Sequence, residues 1–238
     1  MADHADQHNS LRNIKIILAS EGAGARIVAA WVSQPFSWRH SQEPALDAHL
    51  TTLLAEMAAF GDTHDNDPAN HATRMLNITP DTGELLAVLV KAMGARRILE
   101  IGTSNGYSTL WLAEATGDQG VVTTVERSPA KIALARVSFE GAGLIGRIDQ
   151  REGDAGDILR ELADGAYDLL FLDSLRSAYL AWWPDLKRVL RPGGLLVVDN
   201  ATSHPQEMAD FTEAVRADGG FTTSLVPVGK GEFLAVKA

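Results

Sequence analysis

At 238 residues, with 45% apolar and 22% charged side chains, the chain has the make-up of one globular domain and room for a short appendage. Its 21 basic against 31 acidic side chains give a formal charge of −10, a surface that repels a phosphate backbone, so nucleic acid is not an expected partner. The absence of cysteine excludes disulfides, thiolate chemistry and cysteine-zinc sites, and no apolar run approaches the roughly 20 residues of a membrane span.

Asp3 and Asp6 stand where a signal peptide would carry positive charge, and the apolar run 14–19 is too short for its hydrophobic segment. A cytoplasmic protein with no membrane partner is expected. Residues 1–44 follow no clean period and read as an extension, or as an arm against a second subunit, outside a domain spanning 45–238. A helix is predicted over 43–60, with Leu46, Leu50, Leu53, Leu54 and Met57 on one face. The polar run 62–70, with Pro68, predicts a loop. Its histidine and aspartates match neither a zinc motif nor a calcium loop.

From residue 80 strands and helices alternate. Helices are expected over 80–93 (Pro80 near the start, Gly94 just past the end), 107–115, 129–141, 157–163, 178–190 and 205–218. Strands are expected over 97–102, 121–126, 148–152, 167–173 and 195–199, the last after a Pro192-Gly193-Gly194 turn, then 221–228 and 232–237. The alternation implies parallel strands with right-handed crossovers. Gly229-Lys230-Gly231 is too short for a crossover, so the last two strands must form an antiparallel hairpin. The predicted fold class is α/β: a doubly wound, mostly parallel seven-stranded sheet ending in that hairpin.

Ligands of such sheets bind beyond the carboxyl ends of the strands. The first predicted strand runs into Gly102-Thr103-Ser104-Asn105-Gly106, where two glycines permit a tight turn and close backbone approach. A dinucleotide fingerprint would need glycine at 104 and 107, which are Ser and Tyr. The second strand ends in Glu126, a carboxylate able to accept ribose hydroxyls. At the next two tips stand Asp173 and the pair Asp199-Asn200. Adjacent parallel strands lie about 4.8 Å apart, so these oxygens converge into a hard-ligand set suited to magnesium, manganese or calcium. The alternative is that they cap helices.

ILEIGTSNGYSTLWLA followed by TTVERSP resembles the first two motifs of the class I S-adenosylmethionine-dependent O-methyltransferases related to catechol and caffeoyl-CoA methyltransferases. ITPDTG (78–83), FLD, PGGLLVVDN and the closing GKGEFLAV extend the likeness over residues 45–238. The resemblance implies a Rossmann-like methyltransferase fold, a small hydroxylated and aromatic acceptor, a divalent cation and a homodimer. It implies that Glu100, Gly102, Thr103, Ser104, Gly106 and Ser108 line the methionine end of S-adenosylmethionine. Glu126 would hold the ribose, Asp154 and Ala155 the adenine, and Thr79 and neighbouring residues would close over the site. Asp173, Asp199 and Asn200 would hold the cation, with Asp173 also beside the donor. A turn residue ahead of a helix is the other reading of Asp154.

Where the family often has a lysine base, this chain has Arg176, which stays protonated. Either the cation acidifies the acceptor alone, or Arg176 binds an anionic acceptor group, or it is a surface residue. His204 is a candidate base in a metal-independent alternative, or a solvated loop residue. Tyr179, Trp182 and Trp183 read as packing residues ahead of the alternative, a substrate wall. A non-catalytic cofactor-binding protein is the reading from outside enzymes.

Overall fold

The computed structural model describes residues 14–19, 26–31 and 48–238. It falls into two units, residues 1–45 and 46–238. In the first, Ile14–Ala19 (β1) and Arg26–Trp31 (β2) pair antiparallel, with Ile14 opposite Trp31. The sequence reading foresaw neither strand; the rest of the expected arm lies outside the described residues.

The second unit opens with α1 (Ala48–Asn66), which buries Leu50, Leu54 and Met57 on the face read from the sequence. The predicted start at 43 lies outside the described residues, and its end corrects the expectation. The run 62–70 is no simple loop: the helix continues to Asn66 and a 3-10 turn follows at Pro68–Thr73. Polar side chains carry this extra turn. Asp65 accepts the backbone N–H groups of Met75 and Leu76, both at 2.7 Å, and His64 Nε2 lies 3.1 Å from Thr73 Oγ1.

Then follow α2 (Pro80–Met93), β3 (Arg97–Ile101), α3 (Tyr107–Thr116), β4 (Val121–Glu126), α4 (Pro129–Gly141), β5 (Ile148–Glu152) and α5 (Ala155–Glu161). The chain ends with β6 (Tyr167–Leu172), α6 (Tyr179–Val189), β7 (Leu190–Val198), α7 (Pro205–Ala217), β8 (Phe221–Val226) and β9 (Glu232–Lys237). Pro80 and the left-handed Gly94 bound α2 where the sequence put them. The seven strands run in the order β5-β4-β3-β6-β7-β9-β8, parallel except that β9 pairs antiparallel with both β7 and β8. This is the predicted doubly wound sheet with its terminal hairpin.

Two details differ. Pro192-Gly193-Gly194 is not a turn before β7 but a bulge within it: Leu190 and Leu195 face Tyr167 and Leu169, so five residues of advance oppose two. The hairpin connection spans residues 227–231 because β8 stops at Val226.

Alternation along the central strands builds two cores. Leu169, Phe171, Leu195 and Val197 face the layer holding α1 to α4, while Leu170, Leu172, Leu196 and Val198 face that of α5 to α7. With both faces covered, the exposed functional edge is the row of carboxyl-terminal strand tips.

Candidate active site

Those tips are drawn together by backbone bonds: Asp173 N–H donates to Ile101 O and Asp199 N–H to Leu172 O, each at 3.1 Å. Gly102 follows β3 at φ +111°, and a Cβ there would lie 2.1 Å from Asp173 O, so only glycine lets the two tips approach. Gly106 is left-handed too, and its missing Cβ makes room for the Phe139 ring.

Two cavities meet here. The smaller, about 140 Å³, holds Glu126, Asp154 and Ala155 against Val125, Leu175 and Trp182. The larger, about 580 Å³, holds Thr103, Ser104, Ser108, Asp173, Asn200 and His204; both share Gly102, Glu126 and Ser174. Trp182 packs against the core, as its packing reading has it, and also lines the smaller cleft. Tyr179 and Trp183 pack edge-on against Phe211.

Glu126 accepts three backbone N–H groups, from Ser104 at 3.1 Å and from Arg127 and Ser128 at 3.0 Å. A carboxylate offers about four acceptor positions, so one is left for a ligand hydroxyl, where the sequence reading allowed two. Asp154 is a helix cap, its Oδ1 accepting from Gly156 N at 2.8 Å at the start of α5, and the residue also lines the smaller cleft. Ser108, on the wall of the larger cavity, donates to Glu100 at 2.6 Å.

Glu100 itself lines neither cavity. It is fully buried under the loop, where Thr124 also donates to it at 2.6 Å; burial outweighs these donors and pushes its carboxyl up to about 7. Thr79 also stands apart from the larger cavity. It precedes α2 with its hydroxyl on Thr82 at 3.1 Å, while its neighbours Asn77 and Ile78 line the site. Two distant motifs explain this: Asp81 accepts Gly229 N–H at 3.1 Å and Thr82 donates to Glu232 at 3.0 Å, so the ITPDTG and GKGEF segments lock together.

Asp173, Asp199 and Asn200 do converge. The Asn200 amide donates to Asp199 Oδ2 at 2.7 Å and to Asp173 Oδ1 at 3.2 Å, with Asn200 held left-handed at φ +70°. Asp199 is buried beneath the cavity surface, whereas Asp173 and Asn200 reach it. Burial, then the neighbouring Asp199 charge, pushes the Asp173 carboxyl up to about 7; Lys230 works against them. Glu232, unnoticed in the sequence, adds another buried carboxylate, pushed up to about 9 by burial and by Asp199, with Oε2 buried and unpartnered. Among the described residues no group of three or more His, Cys, Asp or Glu side chains is placed to hold a metal, so a cation here would need other oxygens beside the two carboxylates, and the Asn200 amide offers one. A donor set of two carboxylates and an amide, crowded by acids short of positive charge, fits a hard divalent cation.

Arg176 lines the larger cavity but is paired with Glu207 at 2.8 Å. His204 precedes α7 on the same wall, its Nδ1 2.9 Å from Ser203 Oγ. Sequence reasoning passed over Arg74, Asn77 and Lys230. They come from a connecting segment and a hairpin turn with no periodic signal, although Lys230 sits inside the GKGEF motif.

Residues 64–238 match the O-methyltransferase family. The chain belongs to that family. It is 38% identical over 175 residues to a catechol O-methyltransferase of Mycobacterium tuberculosis, covering 72% of this chain and 78% of that protein. Among solved structures it resembles an O-methyltransferase from Bacillus cereus in complex with S-adenosylhomocysteine (TM-score 0.69, 28% identity, 79% of this chain and 91% of that one). It also resembles the O-methyltransferase of tomaymycin synthesis from Streptomyces achromogenes, in complex with S-adenosylmethionine (TM-score 0.67, 29% identity, 78% and 89%). The O-methyltransferase chain is therefore an enzyme of methyl transfer to oxygen, and no described helix is long and apolar enough to cross a membrane.

Proposed function

We propose that the enzyme moves the methyl group of S-adenosylmethionine to a hydroxyl of a small aromatic acceptor, with a divalent cation held by Asp173, Asp199 and Asn200. The observation that carries this reading is the convergence of the two carboxylates on the Asn200 amide, beside a cavity shared with Glu126 and Gly102.

The adenosine belongs in the cleft of Asp154, Ala155 and Trp182, with Glu126 accepting from a ribose hydroxyl through its remaining acceptor position. The methionine end lies along Gly102, Thr103, Ser104 and Ser108, where Ser108, its O–H directed at Glu100, accepts from the ammonium group. Glu100 acts from beneath, and Gly106 gives the loop its turn. Neighbouring acidic groups suit a sulfonium donor, which carries positive charge. Because that methyl is already activated, the chain's task is to align the nucleophile with it. A bound cation would supply a Lewis acid that lowers the pKa of the acceptor hydroxyl. His204, on the same wall, is the base in a second reading that needs no cation.

Within this reading residues 45–238 form the catalytic domain and residues 1–44 an extension or arm. The enzyme is a cytoplasmic homodimer by its family likeness and lack of cysteine. The test is a methyl-transfer screen of the full chain against catechols, phenolic acids and their thioesters, with magnesium or with chelator. Labelled product is expected only with metal. Undiminished turnover by metal-stripped protein in chelator overturns the cation role and favours His204.

A further inference from the structure

Eight basic side chains of the described residues sit within ion-pair distance of a carboxylate, Arg176 among them. Three that line the larger cavity do not: Lys131 on α4, Arg74 and Lys230. Arg74 makes no ion pair or side-chain hydrogen bond with any described residue, and its Nε is sealed from solvent without an acceptor. Lys230 reaches only the carbonyl of Asn77, at 3.4 Å. Both also line an adjoining cavity of about 480 Å³ under α1, so they stand at the neck between the two spaces. Asn77, on the same neck, keeps Oδ1 buried without a donor.

A buried guanidinium N–H without an acceptor is unfavourable in the chain alone, and ion-pairing is how about half of the other described lysines and arginines are answered. Arginine offers a planar fork that matches an oxyanion, and lysine a mobile point charge beside it. Asp62 and Asp65 line the adjoining cavity as well and repel an anion from its interior. Of the three unpaired cations only Arg74 and Lys230 line both cavities, so their joint attraction centres on the neck. We propose that the acceptor carries an oxyanion, a carboxylate or phosphate, and that Arg74 and Lys230 hold it at this neck. The inference rests on the methyl-transfer reading of the same site and adds the acceptor's charge.

The test is calorimetry on the full chain saturated with S-adenosylhomocysteine and magnesium. Its probes are 4-methylcatechol, 3,4-dihydroxyphenylacetate and 3,4-dihydroxybenzylphosphonate. Wild type should bind an anionic ring about tenfold or more tighter than the neutral one, an increment ordinary for charge-assisted hydrogen bonds. The tighter of the two anions identifies the oxyanion. Arg74→Gln should bring the affinities near parity, and Lys230→Gln should narrow the gap. Equal affinities in wild type, or a preference surviving in Arg74→Gln, would overturn the assignment. So would a loss of S-adenosylhomocysteine affinity in Arg74→Gln, which gives the arginine to the donor's own carboxylate. Methylation of the neutral ring without preference leaves the function standing and refutes only the oxyanion. No binding or methylation of any ring removes both.

Discussion

Glu100 touches neither cavity, yet it sits under the loop that forms one of them. It takes hydroxyl donors from Ser108 and Thr109 on α3 and from Thr124 on β4, so a single carboxylate ties the strand to its neighbouring strand and to the helix after the loop. Burial still holds its pKa near 7, while the unfolded chain releases the same proton near the ordinary value of about 4.3. Between those values the folded state binds more protons than the unfolded one, so stability falls as pH rises from about 4 to about 7 and then levels off. Melting temperatures measured from about pH 5 to pH 8 should fall, and Glu100→Gln should flatten part of the fall. Parallel profiles for the two proteins would remove Glu100 from this role. The glutamate at the strand end was legible in the sequence; its burial was not, because only the fold brings Thr124 against it.

At the scale of elements, the hairpin turn and the start of α2 form one unit. Gly229 lies at φ +56°, where a Cβ would come within 2.2 Å of Thr82 Oγ1 and 2.4 Å of Thr79 Oγ1. Thr82 cannot swing aside without releasing Glu232. Gly229→Ala should therefore destabilise by about 2 kcal/mol, lowering Tm by about 4–8 °C in a chain of this size. Gly94→Ala, equally left-handed but with nothing within 4 Å, should cost about 1 kcal/mol. Equal losses in thermal unfolding would refute the contact. Element order, the α2 boundaries and the final hairpin were readable because proline, glycine and period-two patterns act locally. The last turn of α1 was not readable, since Asp65 and His64 hold it through residues nine to eleven positions away. The β7 bulge was likewise hidden, because Pro-Gly-Gly looks the same in a turn and in a bulge.

For the whole molecule, the sheet carries the functional account. Three adjacent tips, β3, β6 and β7, bring Gly102, Asp173 and Asp199-Asn200 into one place, and β4 adds Glu126 beside them. The motif order in the sequence was enough to anticipate this gathering. It did not reveal Glu232, Arg74 or Lys230, which reach the site from the hairpin and from the connection ahead of α2. The site thus joins an acidic centre to a basic neck inside an acidic protein. The most direct measurement of the central claim is manganese binding by electron paramagnetic resonance, on metal-stripped full-length protein saturated with S-adenosylhomocysteine. The account predicts a single bound ion per chain in wild type and its loss in Asp199→Ala and Asp173→Ala variants that still bind S-adenosylhomocysteine. Wild type that leaves manganese free, or variants that bind it equally well, would contradict it.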